Sequence, residues 1–313
     1  MNLKSLLVVL ALLATAWLVY DQSKVEHAGL ASVSAPKQLL DSVHQTLPAP
    51  SVEATASAAG NPFADTERLA NSLQGTNDLR EVYERLRGSR VPRERSMAYR
   101  AWSACFPAFL SANAGMTDVE SLIANLPPND PASSNRADAL RVLWGRCKRF
   151  SDLSHEQLLT ETQRQNEAWM TGKAHSPGES AAKIHMDGNS AEALKLARAA
   201  VDSQDPYAIE SLRDFVIHYW WDLNDNHPEQ GVERPDLRAL AFYLAACNMG
   251  LACGPASLTA VQQCASTGAC TGNAVDRYLQ GLPTQSDRDV VMEESRRVEQ
   301  AIRAKDYQAL GLQ

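Results

Sequence analysis

Apolar residues recur at steps of three and four positions over much of the chain beyond residue 60, and this spacing predicts helices with one buried face. The clearest run covers residues 190–201. Asp205 and Pro206 then predict the start of a second helix, because aspartate caps free backbone N–H groups and proline is tolerated at the first helical position. The apolar face of this second helix consists of Ile209, Leu212, Phe215, Val216, Tyr219 and Trp220. Two helices cannot cover this face alone, so we expect others to pack around them.

The same reasoning predicts helices through the rest of the body and no β-strand of useful length. Capping boxes predict helix starts at Thr117 and Ser154. Gly75 and Gly88 are expected to close the first two helices, and Pro107 to kink or end the third. The predicted spans are 65–73, 78–86, 93–110, 117–126, 131–147, 154–169, a short helix after residue 177, 190–201, a helix from 205, and then 240–250, 256–265 and 286–303. The fold class is therefore all-α.

Part of this pattern repeats along the chain. A self-comparison superposes Ala193 and Leu194 on Ala239 and Leu240, with a third copy at residues 139–147. The offsets between copies are uneven, which predicts irregular helical-hairpin repeats, arranged as a solenoid or as a bundle.

Two phrases in these copies resemble a known type of repeat. They are Ala-Arg-Ala-Ala-Val-Asp-Ser-Gln-Asp-Pro-Tyr-Ala (197–208) and Tyr-Leu-Ala-Ala-Cys-Asn-Met-Gly-Leu-Ala-Cys (243–253), which resemble Sel1-like and tetratricopeptide-type repeats of the secreted, cysteine-rich kind. The resemblance covers roughly a quarter of the chain and departs from the family in repeat length, cysteine spacing and glycines. It implies a helical-hairpin architecture, which generally offers an extended binding surface.

The N-terminus has the layout of an export signal. Lys4 precedes an apolar run over residues 6–20, which predicts either a cleaved signal peptide or an uncleaved anchor. Small residues at 14–16 would suit signal peptidase, but the apolar run continues to Tyr20. We therefore favour a single-pass inner-membrane anchor with the body in the periplasm, since Lys4 on the short side orients the N-terminus inside. Release into the periplasm after cleavage is the alternative.

Composition divides the remaining chain in two. Residues 21–60 are rich in Ala, Ser, Val and Pro and are predicted to form a low-complexity tether. The tether follows the predicted anchor at 1–20 and precedes an all-helical, disulfide-bonded domain at 61–313. The net charge of −7 argues against a nucleic-acid partner, because phosphate binding needs a basic surface. The most basic segment, 85–100, mixes arginines with acids and is interpreted as a solvated helix face.

An even number of cysteines in an exported chain predicts disulfides. The six are Cys105, Cys147, Cys247, Cys253, Cys264 and Cys270. Cys105 with Cys147 suits a bridge between helices, and the other four form two Cys-x5-Cys pairs that would staple helix ends. The alternative pairing, 247 with 264 and 253 with 270, would join neighbouring helices instead. No Cys-x2-Cys or Cys/His spacing typical of zinc, redox or haem sites occurs, so no cofactor is predicted.

One polar segment resembles a calcium loop. Asp222, Asn224, Asn226 and Glu233 occupy positions 1, 3, 5 and 12 of an EF-hand-like spacing. His227 stands where such a loop needs a sharply turning glycine. A polar connection between helices is therefore the preferred interpretation, and no metal site is predicted.

The sequence contains no motif that identifies an enzyme or a catalytic residue. His218 and Asp222 share a helix face, but a histidine among aromatic residues is more often a packing residue. The favoured hypothesis is an interaction or scaffold module that binds an envelope protein or a cell-wall component. The alternative is a helical hydrolase or lyase acting on an envelope polymer, with Glu156, Glu161 or Asp222 in acid–base roles.

Overall fold

A computed structural model describes residues 70–105, 118–127, 129–226 and 233–313. The chain divides into two compact units, 1–58 and 59–313, and every described residue belongs to the second. The predicted anchor, the tether and Pro107 lie outside the described residues. Within the described ranges, no helix is long and apolar enough to cross a membrane.

The described part of the chain is helical and contains no β-strand, which confirms the all-α prediction. Residues 70–75 are helical and precede the first helix that is described in full. The helices are α1 (Leu79–Leu86), α2 (Pro92–Ser103), α3 (Val119–Ile123), α4 (Ser133–Cys147), a 3-10 helix (Lys148–Asp152), α5 (His155–Met170), α6 (Pro177–Met186), α7 (Ser190–Ser203), α8 (Pro206–Asn226), α9 (Pro235–Asn248), α10 (Leu258–Thr267), α11 (Ala274–Gly281) and α12 (Gln285–Ala304).

Most helix starts follow from local capping. The predicted box at Ser154 is present at the start of α5, and Asp205 accepts a hydrogen bond from the Tyr207 N–H at 3.1 Å at the start of α8. The helix α3 is capped by Asp118, which accepts from the Ser121 N–H at 2.8 Å. The predicted cap Thr117 lies outside the described residues. The first two helices end at Gly75 and at Leu86, close to the predicted positions, but neither Gly75 nor Gly88 has the left-handed backbone of a helix-closing residue.

Two short elements were missed. The helix α11 has an Asn273–Asp276 capping box, and the 3-10 helix continues directly from α4. Both are too short to show a clear apolar period in the sequence. The helix α10 begins at Leu258 rather than Ala256, because Ser257 caps it through the Ala260 N–H.

The core forms where α6, α7, α8, α9 and α12 pack in succession. The helix α6 packs against both α7 and α8, and each of these contacts is more extensive than the contact between α7 and α8. The predicted neighbours α7 and α8 are therefore held together mainly through α6. The helix α8 then packs on α9, and α9 on α12. The six apolar residues predicted to form the buried face of α8 are all buried. This core fixes α8 in the middle of the group.

The sequence repeat has helical counterparts that differ in length. Its first and second copies begin on α7 and α9, and its third lies on α4. The helix after α7 has 21 residues, however, whereas the helix after α9 has 10. The described residues therefore form packed helices whose repeat units are not equal in length.

Three disulfides join the six cysteines. Cys105, just after α2, pairs with Cys147 at the end of α4 across a Cα–Cα distance of 5.6 Å. The other two bridges join Cys247 to Cys253 and Cys264 to Cys270, so each Cys-x5-Cys unit closes on itself and the crossed alternative is absent. Disulfides persist in oxidising compartments, which indicates an extracytoplasmic environment for this protein.

Candidate functional site

The helices α6 and α8 cross with their backbones in contact. A Cβ atom at Gly178 would lie 2.0 Å from the backbone oxygen of Ser211, so only glycine allows this approach. The Gly178 N–H donates to Ser211 Oγ at 2.9 Å. The crossing brings together the neighbouring residues Glu179 on α6 and Glu210 on α8.

Arg100 of α2 reaches these two carboxylates. Its Nη1 lies 2.7 Å from Glu210 Oε2, its Nη2 lies 3.9 Å from Glu179 Oε1, and its guanidinium carbon lies 4.9 Å from the ring centre of Tyr207. Burial disfavours the charge on Arg100, but Glu210, Tyr207 and Glu179 together outweigh that effect and hold its pKa well above the usual range. Arg100 is therefore a fixed positive charge between three helices.

Glu179 connects this cluster to the start of α6. Its Oε2 accepts a hydrogen bond from the Ser176 N–H at 2.6 Å, in the capping box of α6, and another from Ser96 Oγ at 3.3 Å. Burial, reinforced by the charge of Glu179, also raises the pKa of Tyr99 to about 12. The ring of Tyr99 stacks on Trp169, with 4.7 Å between ring centres. Glu179 thus has structural partners and is held in one position.

One turn further along α8, Arg213 and Asp214 have few partners. Arg213 Nη1 lies 3.5 Å from the hydroxyl of Tyr278 on α11. Asp214 is exposed and makes no ion pair or hydrogen bond with the described residues. Even so, burial by the surrounding protein raises its pKa; Arg213 opposes this rise and Glu179 adds to it. Asp214 is thus a solvent-accessible carboxylate with protein groups packed closely around it.

We name the surface around Asp214 the α8 groove. It is lined by Arg100, Glu179, Glu210, Arg213, Asp214 and Tyr278. Arg100 largely neutralises the glutamates, whereas Asp214 keeps free acceptors and Arg213 keeps free donors. Such a surface can bind a polar or charged ligand by hydrogen bonds and ion pairs.

The carboxylates predicted to act as acids or bases are not brought together by any described contact. Glu156 is exposed in the first turn of α5. Glu161, also on α5, is paired with Arg87 and Arg164. Asp222 lies on α8, with its Oδ2 2.9 Å from His185 Nε2, and not beside His218 as a pair. Among the described residues, Glu156, Glu161 and Asp222 therefore do not form the paired carboxylates of the predicted hydrolase or lyase.

The calcium-loop spacing falls largely within a helix. Asp222, Asn224 and Asn226 belong to α8, and the Asn226 side-chain amide donates to the Asp222 backbone oxygen at 3.0 Å. Residues two positions apart on a helix point about 200° apart, so these oxygens do not converge as calcium requires. Glu233 follows residues outside the described ranges. In the part of the chain that is described, no cluster of three or more His, Cys, Asp or Glu residues could hold a metal ion.

The groove was not foreseen from the sequence. The sequence predicts a solvated face for the basic segment 85–100, yet Arg87 and Arg100 each approach a carboxylate on another helix, and Arg93 approaches Asp205 just before α8. One local signal was present: Ser176, Pro177 and Glu179 together have the pattern of a capped helix start.

Comparison of the chain with protein-family models, curated proteins and solved structures gives no match. The resemblance to Sel1-like repeats therefore rests on residues 197–208 and 243–253 alone. Any function assigned to this chain has to come from the geometry of its surface.

Proposed function

We propose that the protein is an extracytoplasmic interaction module that binds a segment of an envelope protein in the α8 groove. The observation that carries the proposal is the pair of neighbouring charges in this surface: Asp214 is exposed and has no hydrogen bond to a described residue, and Arg213 contacts only Tyr278 of another helix. An exposed acceptor next to a half-buried donor suits a polypeptide segment, whose backbone and side chains present both kinds of group. The three disulfides support an oxidising compartment.

The proposed location is the periplasmic side of the inner membrane. Lys4 and the apolar run over residues 6–20 support an anchor, and the low-complexity stretch over 21–60 supports a tether that lets the body reach its partner. A cell-wall component is the alternative occupant of the groove. Stacked helix pairs of the Sel1-like kind generally present such extended surfaces, which agrees with a binding role.

Site-specific crosslinking in intact cells tests this proposal. A photoreactive amino acid replaces His218, which is exposed on α8 one turn beyond Asp214, and in a control replaces Met292, which is exposed on α12. We expect position 218 to capture one abundant envelope protein and position 292 to capture none above background. Capture of glycan fragments from position 218 would instead favour the cell wall, and equal capture from both positions would contradict the groove as the binding surface.

A further inference from the structure

A second cluster lies at the other end of α6, where three helices place a serine, a histidine and an aspartate in contact. His185, in the last turn of α6, is 6% exposed. Its Nδ1 lies 2.9 Å from the Oγ of Ser190 on α7, and its Nε2 lies 2.9 Å from Asp222 Oδ2 on α8. The rings of Phe215 and Tyr219 meet the imidazole edge-on, at 6.0 and 5.5 Å between ring centres. The imidazole is therefore held between two oxygen groups and two aromatic walls.

The two oxygen groups select one tautomer of His185. The contact with Asp222 is close but has no hydrogen bond of ordinary geometry, so its effect is mainly the attraction of the carboxylate for a proton on Nε2. A proton on Nε2 leaves the lone pair of Nδ1 free to accept the Ser190 hydroxyl. Serine, imidazole and carboxylate then stand in the order of nucleophile, base and orienting group, with Nδ1 facing the serine.

Ser190 lies beside free backbone donors. It is the first residue of α7, a helix of 14 residues, and Asn189 caps the Glu192 N–H at 3.2 Å. The N–H groups of Ser190 and Ala191 have no acceptor among the described residues. They lie at the positive end of the helix, next to the half-exposed Ser190 side chain. Donors in this position can stabilise an oxyanion that forms at an atom attacked by Ser190.

We propose that Ser190, His185 and Asp222 form a nucleophilic site for carboxylic esters, separate from the α8 groove. Ser190 Oγ attacks the carbonyl carbon as its proton moves to His185 Nδ1, and the N–H groups of Ser190 and Ala191 hold the oxyanion. When the ester C–O bond breaks, the alcohol takes the proton from Nδ1 and an acyl-serine is left. Water then attacks the acyl-serine, gives its proton to Nδ1, and releases the carboxylic acid while the proton returns to Ser190 Oγ.

The neighbours of this cluster in the chain favour an apolar ester. Met186 follows His185 and is 62% exposed, and Trp221 precedes Asp222 and is 50% exposed. Single exposed apolar residues are common on protein surfaces, so the argument from these two depends on their position next to His185 and Asp222 in the chain. Both groups suit an alkyl or aryl ester better than a charged one.

A fluorophosphonate probe applied to the full-length chain tests the proposal, because it reacts covalently with activated serines. We expect peptide mapping to place the label on Ser190, and Ser190→Ala to abolish it. The matched control is Ser203→Ala, which should label normally. It changes a serine on the same helix whose hydroxyl donates to the Ala200 backbone oxygen and accepts from the Asp205 N–H, and which has no contact with His185. His185→Gln should slow labelling by about 100-fold or more, as expected for loss of a general base.

Asp222 is a positioning residue, and its role needs a separate readout. With p-nitrophenyl butyrate as substrate, Asp222→Asn should lower kcat with little change in KM, because binding of the ester does not involve the carboxylate. Thermal melting checks that each variant is folded. The proposal is wrong if the folded wild-type chain gains no label at Ser190, or if Ser190→Ala labels as well as the wild type. The crosslinking experiment on the α8 groove does not depend on either outcome.

Discussion

Asp214 carries a charge that its surroundings in the folded chain stabilise poorly. Its carboxylate is exposed, yet burial by neighbouring groups raises its pKa above the ordinary value of 3.8. Its charge is thus less well stabilised in the folded chain than in the unfolded chain. Because the folded pKa is the higher one, this penalty is present at neutral pH and disappears as pH falls below the unfolded value.

Asp214→Asn should therefore stabilise the protein at neutral pH. We expect a higher Tm than that of the wild type near pH 7 and no difference near pH 3, where the carboxyl is protonated in both states. The control is Asp138→Asn, which alters an aspartate on α4 that is 71% exposed. Thermal melts across the pH range provide the measurement. A lower Tm for Asp214→Asn at neutral pH would show that the carboxylate has a favourable partner, and would contradict the free acceptor in the groove.

At the scale of the helices, the crossing of α6 and α8 decides where the groove forms. It depends on the absence of a side chain at Gly178, which faces the backbone of Ser211. The same crossing sets Glu179 and Glu210 on either side of Arg100. A change at Gly178 therefore affects both stability and the groove.

Gly178→Ala should destabilise the protein by about 1–3 kcal/mol, the usual cost of overpacking a close contact, and should also weaken crosslinking from position 218. Gly145→Ala is the matched control, because Gly145 lies inside α4 with open space where a Cβ would be. That change should stabilise α4 by about 0.5–1 kcal/mol. Urea unfolding measures both. Equal effects of the two substitutions would contradict the close crossing.

The sequence predicted the helices far better than their packing. The starts of α5 and α8 depend on caps a few residues away, and the buried face of α8 depends on its own period, so a local pattern was sufficient. The ion pair of Arg100 with Glu210 spans 110 positions, and the approach of Gly178 to Ser211 depends on backbone contact between two helices. Neither leaves a periodic signal in the sequence, which is why the groove was missed.

At the scale of the whole molecule, distant parts of the chain are tied together. The Cys105–Cys147 bridge joins α2 to α4 across 42 positions, and the Arg198 Nε donates to the Leu312 backbone oxygen at 2.8 Å near the C-terminus. The two short disulfides each close only 6 positions. If a bridge acts mainly by restricting the unfolded chain, the long one contributes most.

Replacing Cys105 and Cys147 together by alanine should lower the free energy of unfolding by about 4 kcal/mol, whereas replacing Cys264 and Cys270 together should lower it by about 2.4 kcal/mol. Urea unfolding of the two double variants gives the comparison. The order of the two losses is the informative result. A larger loss from the short bridge would show that its contribution comes from native contacts around α10 and not from the length of the loop.

The yield of crosslinks from position 218 in intact cells tests the central claim most directly. The yield is measured in three chains: the unchanged sequence, the double variant Arg213→Glu with Asp214→Lys, and the control variant Lys195→Glu. Lys195 lies on the exposed side of α7. The account predicts that reversing both charges in the α8 groove lowers capture of the envelope partner to the level seen from position 292, and that the control leaves it unchanged. Undiminished capture by the folded double variant would contradict the α8 groove as the binding surface.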